Sequence, residues 1–319
     1  MKKQTIEREK KSRSVDTAEL DLTFIDLKRD FALKYAFGTE GNEDLLLMLV
    51  DSILPEKHIR SVTLGAQEQQ PDREEARSGI YDIYCRTDDG SSLTIEMQVC
   101  SQWDFADRMV HYSSYPVRNL VGKGPQREYN KYPALYRLPP IYVIGIMDFE
   151  LKNVDKSDSL IRHYSIREDE GKNAQFTDSL HYVTVELPKF TKSVAELETQ
   201  QDFMIYSILN MGKITEAPKE FSGKGFDKLF EVCRFANMTE EMQHKYVRQL
   251  MAEWDRQGQI NTAKNEGRAE GRAEGRAEGR AEGRAEGRAE TAKAMKAEGI
   301  PVEVISKCSG LTIEQIEAL

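Results

Sequence analysis

The 319-residue chain lacks the features of exported, membrane-spanning or zinc-stapled proteins. Its four cysteines, Cys85, Cys100, Cys233 and Cys308, are scattered with no C-x-x-C spacing, which excludes a dense disulfide framework and an ordinary zinc motif. No apolar run approaches the roughly 20 residues that cross a bilayer. The start, MKKQTIEREKKSRS, is charged and leads into no hydrophobic stretch. A cytoplasmic protein with no membrane partner is the expectation. Basic residues are not in excess: 45 Lys and Arg face 54 Asp and Glu, a formal charge of −9, so the chain does not coat nucleic acid by charge alone. Local basic patches beside an acidic site remain compatible with that total. His58, His111, His163, His181 and His244 lack ligand spacing and read as hydrogen-bonded structural residues.

What is present is organised around residues 81–98, YDIYCRTDDGSSLTIEMQ. Ile83 and Cys85 alternate with Asp82, Tyr84 and Arg86. After a turn at Asp88-Asp89-Gly90, Leu93, Ile95 and Met97 alternate with Thr94, Glu96 and Gln98. Period 2 on both sides of a turn predicts a hairpin of half-buried strands, with Glu96 and Gln98 on one face and their apolar neighbours in the core. For Asp82 to share that face, paired residue numbers must sum to an even value. A two-residue Asp89-Gly90 turn pairs 88 with 91 and splits the acids across the sheet. A three-residue loop with Gly90 left-handed pairs 87 with 91, and therefore Asp82 with Glu96. Carboxylates gathered in this way form a hard, oxygen-rich nest for Mg²⁺ or Mn²⁺, and a phosphodiester is the natural substrate. Charge alternating with apolar residues is equally the pattern of a solvated strand.

Around the hairpin the chain alternates helical and extended patterns. Residues 24–37 recur at helical spacing up to Gly38, a candidate left-handed C-cap, with Asp30 and Lys34 one turn apart as an i,i+4 pair. Asn42 opens a second, strongly apolar helix that stops before Pro55. Residues 59–70 predict a first strand, and 71–78 a charged loop. Residues 103–120 predict a helix that Pro116 kinks or ends early, with Arg108 and Tyr112 on one face. The run 141–147 predicts a strand buried on both faces, and 163–169 and 180–187 two more. Between residues 105 and 137, six Arg or Lys stand against two acids, interleaved with Tyr112, Tyr115, Tyr129, Tyr132 and Tyr136. Arg108, Tyr112, Arg118 and Lys123 are the candidates for contact with a phosphate backbone. The alternative is that these stems and rings cover the sheet.

Residues 195–210, 225–236 and 239–258 predict helices. Six copies of GRAE follow, from Gly267 to Glu290. In a lone helix the four-residue period places like charges at i,i+4 and opposite charges never three or four apart, so the repeat reads as a flexible spacer or as a coiled segment joining chains in a homo-oligomer. A supercoil following that period is right-handed. The last residues fold as a small helical hairpin with Pro301 in a first turn, Ser309-Gly310 at the bend and a Thr312/Gln315 capping box. The domains expected are a mobile N-terminus (1–19), an α/β domain (20–190), a helical extension (191–258), the repeat (259–290) and the hairpin (291–319).

DFALKYAFG at 30–38, YDIYC, TIEMQ, DRMVHYSS at 107–114, IYVIGIMDF at 141–149 and VTVELPKF at 183–190 occur in that order, with a Gly- and Glu-rich tail behind them. As a set the chain resembles the PD-(D/E)XK nuclease-family transposases, also called the Rpn family of recombination-promoting nucleases. The resemblance implies a restriction-endonuclease-like α/β core, a mixed sheet flanked by helices, with a C-terminal helical extension. It also implies a metal-dependent DNA endonuclease linked to recombination or transposition. Asp82 and Glu96 then hold Mg²⁺ or Mn²⁺, Asp30 of the first helix completes the site, Gln98 orients the attacking water and Arg108 contacts DNA. The strict superfamily pattern has lysine where this chain has Gln98, a departure also found within the family. An accessory protein that binds DNA or oligomerises without cutting is the rival reading.

Overall fold

A computed structural model describes residues 22–65, 68–69, 79–80, 82–124, 136–151 and 157–319. The N-terminal 1–19, the loop 71–78, Tyr129 and Tyr132 lie outside them. The chain divides into two compact units, one running through Val247 and one from Arg248 to Leu319.

The first unit is built on strands β1 (Val62–Leu64), β4 (Ile83–Thr87), β5 (Ser92–Gln98), β6 (Ile141–Met147), β7 (Ile161–Ser165) and β8 (Leu180–Glu186). They form one sheet in the order β1-β4-β5-β6-β8-β7, while the short β2 (Glu68–Gln69) and β3 (Gly79–Ile80) pair with each other. β5, β6 and β8 are parallel; β1, β4 and β7 pair antiparallel with their neighbours. The apolar run of β6 lies mid-sheet with all seven residues buried, because both its faces are covered. Helices α1 (Asp30–Phe37), α2 (Glu43–Ile53), α3 (Phe105–Leu120), α4 (Gln200–Asn210) and α5 (Asp227–Cys233) flank the sheet. This is the mixed α/β architecture that the motifs implied.

Four local expectations are corrected. The first helix begins at Asp30, not Phe24, because Phe24 bridges to Arg234 and the Ile25 N–H donates to the Cys233 carbonyl at 2.9 Å. Phe24 and Ile25 are thus buried as extended chain, with the Phe24 and Phe230 rings edge-on at 5.7 Å, and Leu27 is buried in the turn that follows. Gly38 ends α1 at φ −106°, outside the left-handed region. Pro116 does not stop α3, which continues to Leu120 with Pro116 itself buried; tertiary packing offsets the one lost N–H. The hairpin strands are not half-buried: residues 92–97 of β5 are buried throughout, since α3 lies over their polar face. Gly145 of β6 makes that close packing possible, as a Cβ there would meet the Phe105 ring at 2.9 Å and Met109 Sδ at 3.2 Å.

Helix α6 (Glu240–Ala297) carries the GRAE copies as one continuous helix rather than a loose spacer. Arg, Ala and Glu, three of every four residues, stand at the favourable end of the helix scale, which offsets a glycine cost of ~1 kcal/mol per copy, and the preceding turns supply the nucleus. Each copy advances by about 400°, so no residue type keeps to one face, and residues 267–288 are all exposed. In the second unit, α7 (Val302–Ser309) and α8 (Ile313–Glu317) close a small core of Ala292, Ile305 and Ile316. Gly310 turns the chain at φ +72°, the capping box of Thr312 and Gln315 is present, and Pro301 stands just ahead of α7 rather than inside it. Among the described residues no helix is long and apolar enough to cross a membrane.

Candidate active site

The register of the hairpin decides whether the acids meet. Ile83 pairs with Ile95, Tyr84 with Thr94, Cys85 with Leu93 and Arg86 with Ser92. The Thr87 N–H donates to the Ser91 carbonyl at 3.1 Å, and the Gly90 N–H to the Thr87 carbonyl at 3.0 Å. Gly90 has φ +83°. The connection is therefore the three-residue loop Asp88-Asp89-Gly90, and its even register sets Asp82 opposite Glu96. The loop acids are spent on the turn itself. Asp89 accepts from the Ser91 N–H at 2.9 Å and from the Thr87 hydroxyl, and Asp88 accepts from the Arg60 N–H at 3.1 Å.

Asp82 and Glu96 are buried, 5% and 3% exposed, and interlocked. The Asp82 N–H donates to Glu96 Oε2 at 3.3 Å, and the Met97 N–H donates to Asp82 Oδ2 at 2.8 Å. Two cations reach them, each from a different helix. Lys34 Nζ of α1 lies 3.0 Å from Asp82 Oδ1. Arg108 of α3 pairs with Glu96 Oε1 and donates to Gln98 Oε1 at 2.9 Å and, through Nε, to the Tyr112 hydroxyl at 2.6 Å. The Tyr112 hydroxyl in turn donates to Glu96 Oε1 at 2.8 Å. Both ends of Gln98 are held, its amide NH₂ donating to the Cys100 carbonyl at 3.0 Å.

Burial, and after it the charge of Asp30, raise the Asp82 carboxyl above its ordinary value against the pull of Lys34. Burial and the adjacent Asp82 push Glu96 up to about 7, outweighing Arg108 and Tyr112. Desolvated like charges in contact do this, because each ionisation makes the next more costly. The Tyr112 hydroxyl is raised for the same first reason, burial, with the Glu96 charge second, and so stays a donor.

The donor chemistry fits a hard divalent cation: oxygen ligands only, two of them buried side by side, with a third acid on α1 close enough to add to their repulsion. Among the described residues no three His, Cys, Asp or Glu side chains stand ready to hold a metal as they are. Lys34 and Arg108 meet the carboxylates instead.

The four residues expected on a DNA-binding surface separate into two pairs. Tyr112 is buried against the site, and Arg108 is spent on Glu96, Gln98 and Tyr112, because the glycine at 145 brings this turn of α3 down onto the sheet. Arg118 stays with the outer part of α3, its guanidinium 5.7 Å from the Tyr115 ring, and Lys123 is exposed beyond the helix end. Two contacts were not anticipated. Lys34, read as a partner for Asp30, reaches Asp82. Lys28 pairs with Asp148 at 2.8 Å just past β6, where the Asp148 N–H donates to the Gln98 carbonyl at 3.0 Å. The DFALK spacing carried the first signal, since a helix that brings Asp30 toward the hairpin brings position 34 on the same face.

Neither a curated protein nor a solved structure matches the chain. A family model does: that of the PD-(D/E)XK nuclease family transposases, over residues 27–263. That span takes in α1, the whole sheet and the paired carboxylates, and the mixed sheet flanked by helices is the architecture the family implies. The chain therefore belongs to the PD-(D/E)XK nuclease family transposases, a family of nuclease type.

Proposed function

We propose that this protein is a metal-dependent DNA endonuclease linked to recombination or transposition. The observation that carries the reading is the pairing of Asp82 with Glu96, buried and in contact on one sheet face. Asp82 and Glu96 would hold Mg²⁺ or Mn²⁺, with Asp30 tuning their charge from α1. Bound there, the ion supplies Lewis-acid polarisation of a phosphoryl oxygen and lowers the pKa of a water. Water adds to phosphorus while the P–O bond to the leaving oxygen breaks and that oxygen takes up a proton. Arg108 and Tyr112 hold the Glu96 carboxylate in one orientation, and Gln98 steadies Arg108 instead of facing the water. Arg118 and Lys123 are the contacts for the DNA backbone, and the C-terminal unit serves self-association.

Plasmid cleavage with and without Mg²⁺ or Mn²⁺ tests this. Wild-type protein is expected to nick or cut, and Asp82→Ala and Glu96→Ala to lose at least ~10³-fold in rate while staying folded. Removal of residues 259–319 is expected to change the oligomeric state and leave the chemical step on saturating DNA within about threefold. A second reading, an accessory protein that binds DNA without cutting, draws on the internal pairing of both carboxylates with Lys34 and Arg108. DNA binding by wild-type protein that cuts nothing in either metal would decide for it.

A further inference from the structure

In this chain the position that the strict PD-(D/E)XK pattern gives to lysine holds Gln98, and both ends of that amide are occupied, by Arg108 and by the Cys100 carbonyl. A hydrolysis that builds negative charge on phosphoryl oxygens still calls for a fixed cation with hydrogen-bond donors at the site. Arg108 is poorly placed to be that cation, because its donors go to Glu96, Gln98 and Tyr112, with Gln102 Oε1 at 3.4 Å. Lys34 differs on each point. It sits on α1, a different helix from the one that carries Arg108, and it meets Asp82 where Arg108 meets Glu96. Its side chain is 30% exposed, and its ammonium lies 3.0 Å from Asp82 Oδ1, the buried oxygen that Arg108 does not reach.

We infer that Lys34 supplies the catalytic ammonium missing from position 98, held on Asp82 until substrate enters and then donating to the phosphoryl oxygen on which charge develops. The inference rests on the nuclease reading above. Its physical basis is a compact ammonium on a flexible four-carbon stem, which keeps three donors and moves between oxygens that a planar guanidinium in a fork of fixed partners cannot exchange. Helix α1 makes the placement reproducible: Phe31, Ala32, Leu33, Ala36 and Phe37 are buried, so the helix cannot rotate Lys34 away from the hairpin.

The test is Lys34→Ala in the full chain, read by steady-state cleavage of plasmid, Mn²⁺ binding by calorimetry and rescue by small amines. The expected result is a fall in kcat of about 10²-fold or more with KM within about threefold. Mn²⁺ affinity is unchanged or tighter, because the ammonium no longer competes for Asp82. Ethylammonium, entering through the half-exposed gap, restores at least about tenfold of the lost rate, while tetramethylammonium, equal in charge but without N–H donors, does not. A kcat within about threefold of wild type overturns the inference. So does a loss of cleavage that travels with weakened Mn²⁺ binding and resists ethylammonium, the outcome for a residue that merely props Asp82. Wild-type protein that binds no Mn²⁺, matches Asp82→Asn in that measurement and cuts nothing overturns the nuclease site itself and this inference with it.

Discussion

Two buried glutamates lie in the same sheet, one at the end of β5 and one at the end of β8, and both face an arginine. Glu186 is fully buried, pairs with two cations, Arg162 and Lys189 at 3.3 Å, and accepts from the Leu151 N–H at 3.1 Å. Glu96 is nearly as buried, but one of its neighbours is another carboxylate. Burial with an arginine partner is therefore not what sets the site apart. The second acid is, because a glutamate among cations is structurally complete, whereas two acids in contact store repulsion that a divalent ion relieves. On the proposed nuclease reading, Glu186 belongs to the stability of the fold and Glu96 to its chemistry.

The comparison predicts opposite signs for the same substitution. Glu186→Gln leaves Arg162 and Lys189 buried beside a neutral amide and is expected to cost about 3–5 kcal/mol, the range for breaking a buried ion pair. Glu96→Gln removes a repelled charge, and in metal-free protein near pH 8 it is expected to be neutral or stabilising. Urea denaturation of the two variants separates these outcomes, and destabilisation of equal size would erase the distinction.

Titration sharpens it next. Glu96 stands at about 7 in the folded protein against an ordinary 4.5, so the folded state binds the extra proton between those values. Its contribution to stability is full below about pH 4.5 and is lost as pH rises through about 7, by at most ~3 kcal/mol. The raised Asp82 acts in the same direction. Stability of metal-free wild type should fall relative to Glu96→Gln as pH climbs across that window. A difference between the two that stays constant from about pH 4.5 to 8 would show that the repulsion is absent. Divalent metal should reverse the trend, since metal binds the deprotonated carboxylates and displaces the proton.

The smallest effect concerns how α3 reaches Glu96. Gly145→Ala places a methyl against the Phe105 ring and Met109, and overpacking of this kind costs about 1–3 kcal/mol. Because the same helix carries Arg108 and Tyr112, cleavage should fall further than stability accounts for, with metal affinity shifted. A variant that loses stability alone would separate the packing of α3 from the orientation of Glu96.

Much of the site was legible from residue order. Alternation around Asp88-Asp89-Gly90 implied the hairpin, and the requirement that Asp82 and Glu96 share a site selected an odd loop over the two-residue turn, because side chains on a strand have only two faces and a register has only two parities. The run 141–147 announced a central strand for an equally local reason, having no polar face to show to water. Other features had no local signature. Phe24 and Ile25 fit the helical spacing but are buried as extended chain against the segment around Arg234, more than 200 residues away in sequence. Tyr112 and Arg108 looked like surface ligands for DNA, and only the absence of a side chain at Gly145, on another strand, brings them onto Glu96.

Taken alone, the sequence determined the nuclease family, the α/β class, the hairpin that carries Asp82 and Glu96, and the helical C-terminal part, since each of these follows from periods of two or near four and from motifs within a few residues. The tertiary structure alone decided which cation meets which carboxylate. Lys34 has Asp30 one turn away along its own helix, yet its ammonium stands against Asp82, 48 positions further on. The choice between a neighbour in sequence and a neighbour in space depends on where two separately packed elements come to rest, and no local pattern encodes that distance.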